Sequence, residues 1–208
     1  MDRDEALLLR AEIGAVVARV YSWDGPWVSL GKYQNPERDL VPGTVVPHVF
    51  RPTGGKAVLH GHDSTIGLAV PLASIDCTSR DVKRAYRAVI DPITKALNLC
   101  GLAAALAEET IHVNRGQRTA DCFAFNSAND VVDPATGRKL CGCALKLTDR
   151  AVLVQASIPN GQPLVDPTTV LRDAGPNIGP VWDAGYLRDA LEESLRYNFD
   201  HVTAREAG

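Results

Sequence analysis

Two groups of residues have types and spacings that bear chemistry. The first is Arg51-Pro52-Thr53-Gly54-Gly55-Lys56-Ala57-Val58-Leu59-His60. Adjacent glycines let the backbone turn sharply and approach a ligand, and Arg51 and Lys56 bracket them with cations suited to a carboxylate or a phosphate. A hairpin turn with solvated basic flanks reads the same residues without a ligand. The segment lacks both G-x-x-x-x-G-K-S/T and G-x-G-x-x-G, so neither a P-loop nor a dinucleotide fingerprint applies.

The second group begins at Asp121-Cys122-Phe123, passes through Asn129-Asp130 and a turn at Asp133 to Gly137, and continues as Arg138-Lys139-Leu140-Cys141-Gly142-Cys143-Ala144-Leu145-Lys146. Two strands joined by that turn bring Cys122, Asn129-Asp130 and Lys146 within range of one another. A thiol beside an ammonium is a chemically sensible pair, because the cation stabilises thiolate. A lone cysteine is otherwise a small buried hydrophobe. Cys100 and Cys77 are read that way.

Positioning these residues requires a frame. Residues 4 to 12 are helix-capable, and Ala15 to Trp23 is β-branched and aromatic enough for a strand. Further strands are expected at Trp27 to Leu30, Val45 to Phe50, Ala57 to Leu59, Thr65 to Val70, Ile111 to Asn114, Ala120 to Phe125, Asp130 to Val132, Cys141 to Leu147 and Ala151 to Ile158. Val82, Tyr86, Val89, Ile93 and Leu97 form the stripe of an amphipathic helix over Arg80 to Leu99, with a kink or break expected at Pro92. A last helix is expected from Asp183, an N-cap candidate, with Leu187, Leu191 and Leu195 on one face. Strand runs with helices set apart read as α+β with a mixed, largely antiparallel sheet.

The composition narrows the function classes. At 208 residues and 45% hydrophobic, the chain is long enough for one globular domain, expected to span 1–208. Its 22 Lys plus Arg against 25 Asp plus Glu give a net charge of −3, so no basic field favours nucleic acid. No apolar run reaches the roughly 18–20 residues a membrane span needs. The acidic start MDRDEALLLRAEIG lacks the order of a secretory signal, and a cytoplasmic location is expected. Five cysteines without an export signal read as reduced thiols. Cys141-Gly-Cys143 and His60-x-His62 are isolated from further ligands, and no metal site is expected from them.

RPTGGKAVLH resembles the arginine, small-residue, Gly-Gly and His signature of the lipoate-protein ligase and octanoyltransferase superfamily. GRKLCGCALK is similar to its second signature, in which a lysine follows a Gly-small-Ala element. RVYSWDGPWVSLGKYQ resembles the strand whose Ser-Leu-Gly and Gln close the first hairpin. The three occur in order over residues 4 to about 160.

The resemblance implies the fold of biotin and lipoate ligase catalytic domains, class II synthetase-like, with an apolar tunnel for a long acyl chain. It implies that Arg51, Thr53, Gly54, Gly55, Lys56, Ala57 and His60 wrap the acyl head or adenylate, with Gly142, Cys143 and Ala144 beside them. Lys146 matches a lysine that contacts the acyl carbonyl or the adenylate phosphate. Cys122 matches the acyl-accepting cysteine of one branch of octanoyltransferases. That branch takes octanoyl from acyl carrier protein and passes it to a lysine of a lipoyl domain or of the glycine-cleavage H protein, without a cofactor. Cys143 is a second candidate for this thiol. Asn129-Asp130 resembles the pair that organises ATP and Mg²⁺ in lipoate-protein ligases, with Asp130 the metal-facing acid.

Two departures stand out. Lys56 occupies a place where many relatives have Gly or Arg, and the chain ends soon after its last helix, where larger members add an accessory domain. The leading expectation is therefore an octanoyl or lipoyl transferase working through Cys122. ATP-dependent ligation through lipoyl-AMP and a non-catalytic acyl-binding protein are its alternatives. Biotin is the least expected acyl group, because the arginine- and glycine-rich loop of biotin ligases is not reproduced.

Overall fold

The computed structural model describes residues 1–114 and 118–199, and the backbone of 202–205. In chain order the elements are α1 (Asp2–Glu12), β1 (Val16–Ser22), β2 (Trp27–Leu30), the short α2 (Pro36–Asp39), β3 (His48–Phe50), β4 (Val58–His60), β5 (Asp63–Pro71), α3 (Val82–Leu99), β6 (Ala105–Leu106), β7 (Val131–Val132), β8 (Lys139–Leu147), β9 (Ala151–Pro159), α4 (Leu187–Asn198) and β10 (Val202–Arg205).

A seven-stranded sheet has the order β10-β1-β5-β9-β8-β7-β6, and only its β1/β10 pair is parallel. A smaller sheet runs β3-β2-β4, with β2/β3 parallel and β2/β4 antiparallel. This is the mixed, largely antiparallel α+β architecture expected from the sequence.

The central strands β5 and β9 are buried along every residue. Both of their faces are covered, so residues 66–70 and 151–154 run apolar without alternation, while the buried polar Asp63, Ser64, Thr65, Gln155 and Ser157 gather at the other end of the pair. On one face Ile66, Leu68, Val152 and Val154 pack against Val89, Ile93 and Leu97 of α3 and Leu187, Leu191 and Leu195 of α4. On the other, Ala69 and Leu153 meet Leu7, Leu8 and Ala11 of α1. A separate cluster of Val28, Leu30, Leu40, Leu59 and Leu171 supports the smaller sheet.

Helix α3 continues through Pro92 as one element, so of the expected kink or break the break does not occur. An interior proline costs about 3 kcal/mol. Tyr86, Val89, Ile90, Ile93 and Leu97 are all buried on the same stripe. Each large apolar side chain contributes roughly 1.5–3 kcal/mol, so together they outweigh the proline.

The strands expected at 111–114 and 120–125 are absent. Asp121 explains the second case: its Oδ1 accepts from Phe123 N at 2.9 Å, and its Oδ2 from Gly175 N at 2.8 Å. A local Asx turn competes with the ladder and wins here. One isolated parallel bridge, Ala57 to Asp121, remains.

Candidate active site

That bridge joins the two sequence segments. Ala57 N donates to Ala120 O, and Cys122 N donates to Ala57 O, both at 2.8 Å. Gln34 of the first hairpin adds a third tie, accepting from Gly31 N at 3.0 Å and donating to Ala120 O at 3.1 Å. The three segments that carry the resemblance therefore meet around one half-open cavity of about 410 Å³ including solvent. Tyr21, Trp23, Val58, Ala144 and Ala156 supply apolar lining, and Arg51, Gly55, Lys56, His60, Cys122, Gly142 and Cys143 also reach it.

The Gly-Gly loop is held from within. Arg51 is buried and donates to Ser29 O (2.9 Å), Gly54 O (2.7 Å), Lys56 O (2.6 Å) and Thr53 Oγ1 (3.1 Å). The cation expected to meet a carboxylate or phosphate is thus occupied by the loop's own oxygens. Burial pulls its pKa down to about 10. Thr53 Oγ1 in turn donates to Gln155 Oε1 at 2.8 Å, pinning the loop to β9. A Cβ on Gly31 would lie 2.1 Å from Gly55 O, so the Ser-Leu-Gly turn and the loop meet only because Gly31 has no side chain.

His60 is also buried, stacked on Trp23 with centroids 4.2 Å apart. Its Nδ1 lies 2.8 Å from Asp63 Oδ2, and its Nε2 lies 2.7 Å from Ser29 Oγ. Burial works to raise the Asp63 carboxyl, but His60, Ser157 and Gly61 N hold it below its ordinary value.

The cation beside Cys122 is Lys139. Its Nζ lies 3.5 Å from Cys122 Sγ, 2.6 Å from Cys122 O and 2.7 Å from Asp130 Oδ2. Burial works to lower the Lys139 pKa, yet Cys122 and Asp130 carry it above the ordinary lysine value. Burial pushes the Cys122 thiol up, and Lys139 opposes it only in part. Asp130 therefore anchors the Lys139 ammonium, which partly offsets the burial of its thiol neighbour.

Lys146, expected at this position, sits elsewhere. Its Nζ is 3.7 Å from Glu5 Oε1 of α1, and Lys146 pairs across the sheet with Leu153. Seven residues of extended chain separate it from Lys139, roughly 23 Å. The turn after Asp133 explains the correction: Asp133 N donates to Arg138 O, and Val132 pairs with Lys139, so the first residue of β8 returns beside Asp130. The signal in the sequence was a lysine directly after a turn, followed by apolar Leu140 and Cys141.

The other expected residues divide. Gly142 is shaped by the thiol, since a Cβ there would lie 2.9 Å from Cys122 Sγ. Ala144 and Cys143 line the cavity, and Cys143 Sγ is 3.4 Å from Cys141 Sγ rather than beside a cation. Ala57 and Gly54 act through their backbone. Asn129 is exposed and outside the cavity lining, with its carbonyl accepting from Tyr86 Oη. Asp130 Oδ2, besides Lys139, accepts from Ser127 N at 2.6 Å and Ser127 Oγ at 2.8 Å. Among the described residues no three His, Cys, Asp or Glu gather as a metal-binding group, and no helix is long and apolar enough to cross a membrane.

A mixed sheet that brings an arginine-anchored Gly-Gly loop to a Lys139-flanked thiol defines a class, and the chain belongs to the lipoyl protein ligase A/B catalytic domain family, which matches residues 1–164. Among curated relatives it is 33% identical over 168 residues to the octanoyltransferase LipM of Geobacillus kaustophilus, covering 76% of this chain and 59% of that protein. It is 32% identical over 168 residues to the octanoyltransferase LipM of Halalkalibacterium halodurans, covering 76% and 60%. The chain thus spans about three-fifths of the length of these relatives. In fold it is similar to a putative lipoate protein ligase from Thermoplasma acidophilum with bound lipoic acid: TM-score 0.72, 20% identity, 98% of this chain and 80% of the other.

Proposed function

We propose that this protein transfers an octanoyl or lipoyl group to a lysine of a lipoyl-domain acceptor through a thioester on Cys122. The observation that carries the reading is the 3.5 Å approach of Lys139 Nζ to Cys122 Sγ at the wall of the cavity. Similarity to octanoyltransferases over three-quarters of the chain supports it.

In the first step the Cys122 sulfur attacks the donor thioester carbonyl, a C–S bond forms, and the donor thiol leaves with the proton that Cys122 gives up. In the second, the acceptor amine attacks the Cys122 thioester, the amide forms, and the thiol is regenerated. The acyl group arrives activated, so neither step consumes ATP. The Lys139 ammonium stabilises thiolate as it forms and negative charge as it develops on the carbonyl oxygen. The donor in this reading is acyl carrier protein, and the acceptor is a lipoyl domain or the glycine-cleavage H protein.

ATP-dependent ligation would ask Asp130 to face a magnesium ion and phosphates, which is suitable oxygen chemistry for Mg²⁺. Its Oδ2 instead receives Lys139, and that ion pair favours the transferase.

Intact-protein mass after mixing with octanoyl-acyl carrier protein, without ATP or acceptor, tests the reading. The expected result is an octanoyl adduct removed by hydroxylamine and absent in Cys122→Ser. Transfer that requires free lipoate, ATP and Mg²⁺ and persists in Cys122→Ser would establish ligation instead. Tight octanoate binding without any transfer would leave a carrier or sensor.

A further inference from the structure

Strand β8 changes neighbours near its start. Val132 and Val131 of β7 pair with Lys139 and Cys141, and the pairing with β9 begins one residue later, at Gly142 opposite Ser157. The register with β7 shifts at this point, so the strand is already irregular where one partner ends and the other begins. Gly142 is therefore the joint of the strand. It also packs against the thiol, since a Cβ there would lie 2.9 Å from Cys122 Sγ.

A cysteine stands on each side of this joint. Cys141 and Cys143 are two apart on the strand, so their side chains share a face, and their sulfurs lie 3.4 Å apart. Both are free thiols, and their access differs. Cys141 is fully buried, whereas Cys143 is half-buried and lines the half-open cavity. A reagent entering the cavity meets Cys143 first, with Cys141 directly behind it. An accessible thiol with a second thiol in contact is the arrangement of a redox-sensing pair, and acyl transfer through Cys122 uses neither sulfur.

We propose that Cys141 and Cys143 form a reversible disulfide that switches the site off when a hydroperoxide is present. The Cys143 sulfur takes one oxygen, the O–O bond breaks, and an alcohol leaves, or water where the oxidant is hydrogen peroxide. Cys141 then attacks the resulting sulfenic acid, the S–O bond breaks, and water leaves with the Cys141 proton. The pair has lost two electrons and two protons to the peroxide, and a dithiol reductant restores both by exchange.

The bridge acts on the site through the joint. Residues two apart in an extended strand are separated by roughly 6.4–6.8 Å, the upper end of the 4.4–6.8 Å that a disulfide spans. Closing the 3.4 Å gap to bonding distance therefore shortens β8 across Gly142, where a missing Cβ lets the backbone bend. The residue that moves is the one packed on Cys122 Sγ, and Lys139 stands just before it on the same strand. The bridge itself is independent of the thioester reading above; its effect on acylation rests on that reading.

The full chain is treated with hydrogen peroxide, its remaining thiols are capped with N-ethylmaleimide in denaturant, and its tryptic peptides are weighed. Cleavage after Lys139 and Lys146 releases both cysteines on one peptide. That peptide is expected to be two hydrogens lighter and free of maleimide, with Cys122 capped, and to return to the dithiol form with dithiothreitol. A bridge that includes Cys122, or over-oxidised Cys143 beside a capped Cys141, would overturn the pairing.

Misplacement by about 1 Å can cost a reaction about 10²-fold, so acylation of Cys122 in the bridged protein is expected to fall roughly 10- to 100-fold and to recover on reduction. Iodoacetamide reads the same thiol without an acyl donor and is expected to slow as well. Unchanged rates in the bridged protein would overturn the switch. Cys141→Ala removes the second sulfur from behind the cavity wall, and the same peroxide dose is expected to leave its rates unaltered. An equal loss in that variant would assign the inhibition to direct oxidation of another thiol and overturn the switch. A bridge that slows iodoacetamide in a protein that no thioester acylates would overturn the proposed function and leave the switch standing.

Discussion

Two cations lie equally deep in this protein and are used in opposite ways. Arg51 is 6% exposed and Lys139 is 7% exposed. Arg51 directs its hydrogen bonds into Ser29, Thr53, Gly54 and Lys56, so its charge is dispersed over neutral oxygens of the loop it shapes. Lys139 meets a carboxylate on one side and a thiol on the other. A planar fork with five donors suits the first task, while a compact ammonium suits the second. Depth of burial alone does not identify a reacting group; the chemistry of its partners does.

The largest test of this contrast is Lys139→Met. Loss of a preorganised cation beside developing charge is expected to cut the rate of Cys122 acylation by about 10²–10³-fold. Leaving Asp130 buried without its cation should also cost about 3–5 kcal/mol of stability by chemical denaturation. Adding Asp130→Leu should recover much of that stability and none of the activity. Recovery of both would show that Lys139 acts only by holding the fold.

Arg51→Met should behave as a loop defect. Several carbonyls lose their donor at once, each worth about 1–3 kcal/mol if left unpaired. We expect a clear fall in melting temperature and acylation lost in proportion to loop disorder. Arg51→Lys should not rescue it, since one ammonium cannot reach the same oxygens. Full stability in the lysine variant would break the comparison.

The thiol offers a third test. Because burial raises the Cys122 pKa despite Lys139, alkylation by iodoacetamide should increase about tenfold per pH unit below that pKa, with no plateau by pH 9. Lys139→Met removes the group that opposes the rise and should move the profile further to alkaline pH. A plateau near neutrality would mean that the cation outweighs burial.

The smallest effect is expected at Lys146. Its contact with Glu5 is long and partly exposed, so Lys146→Ala should change stability by less than about 1 kcal/mol and acylation by less than about twofold. A large kinetic loss would return the catalytic role to Lys146.

Much of the scaffold was legible in the residues. The stripe from Val82 to Leu97 specifies α3 because spacings of three and four put its apolar side chains on one face, strongly enough that Pro92 does not break it. Asp183 caps the turn before α4, accepting from Gly185 N at 2.9 Å. The segments 111–114 and 120–125 were misread as strands; in the second, β-forming residues outweighed Asp121, whose side chain bonds locally and cancels the pairing.

The site was legible in part for a similar reason. Cys122, the Gly-Gly loop and the family to which the chain belongs could be read from residue types in order. Lys139 and Lys146 stand on the same strand seven residues apart, and nothing in their type says which one faces the thiol. Residue pattern determined the helices, the main strands and the candidate thiol, because periodicity and turn chemistry are local properties. Only the tertiary structure decided that Lys139 is the partner of Cys122 and that Arg51 clamps its own loop. Those outcomes depend on where a turn ends and which buried oxygens need donors, and both are settled by packing between distant segments.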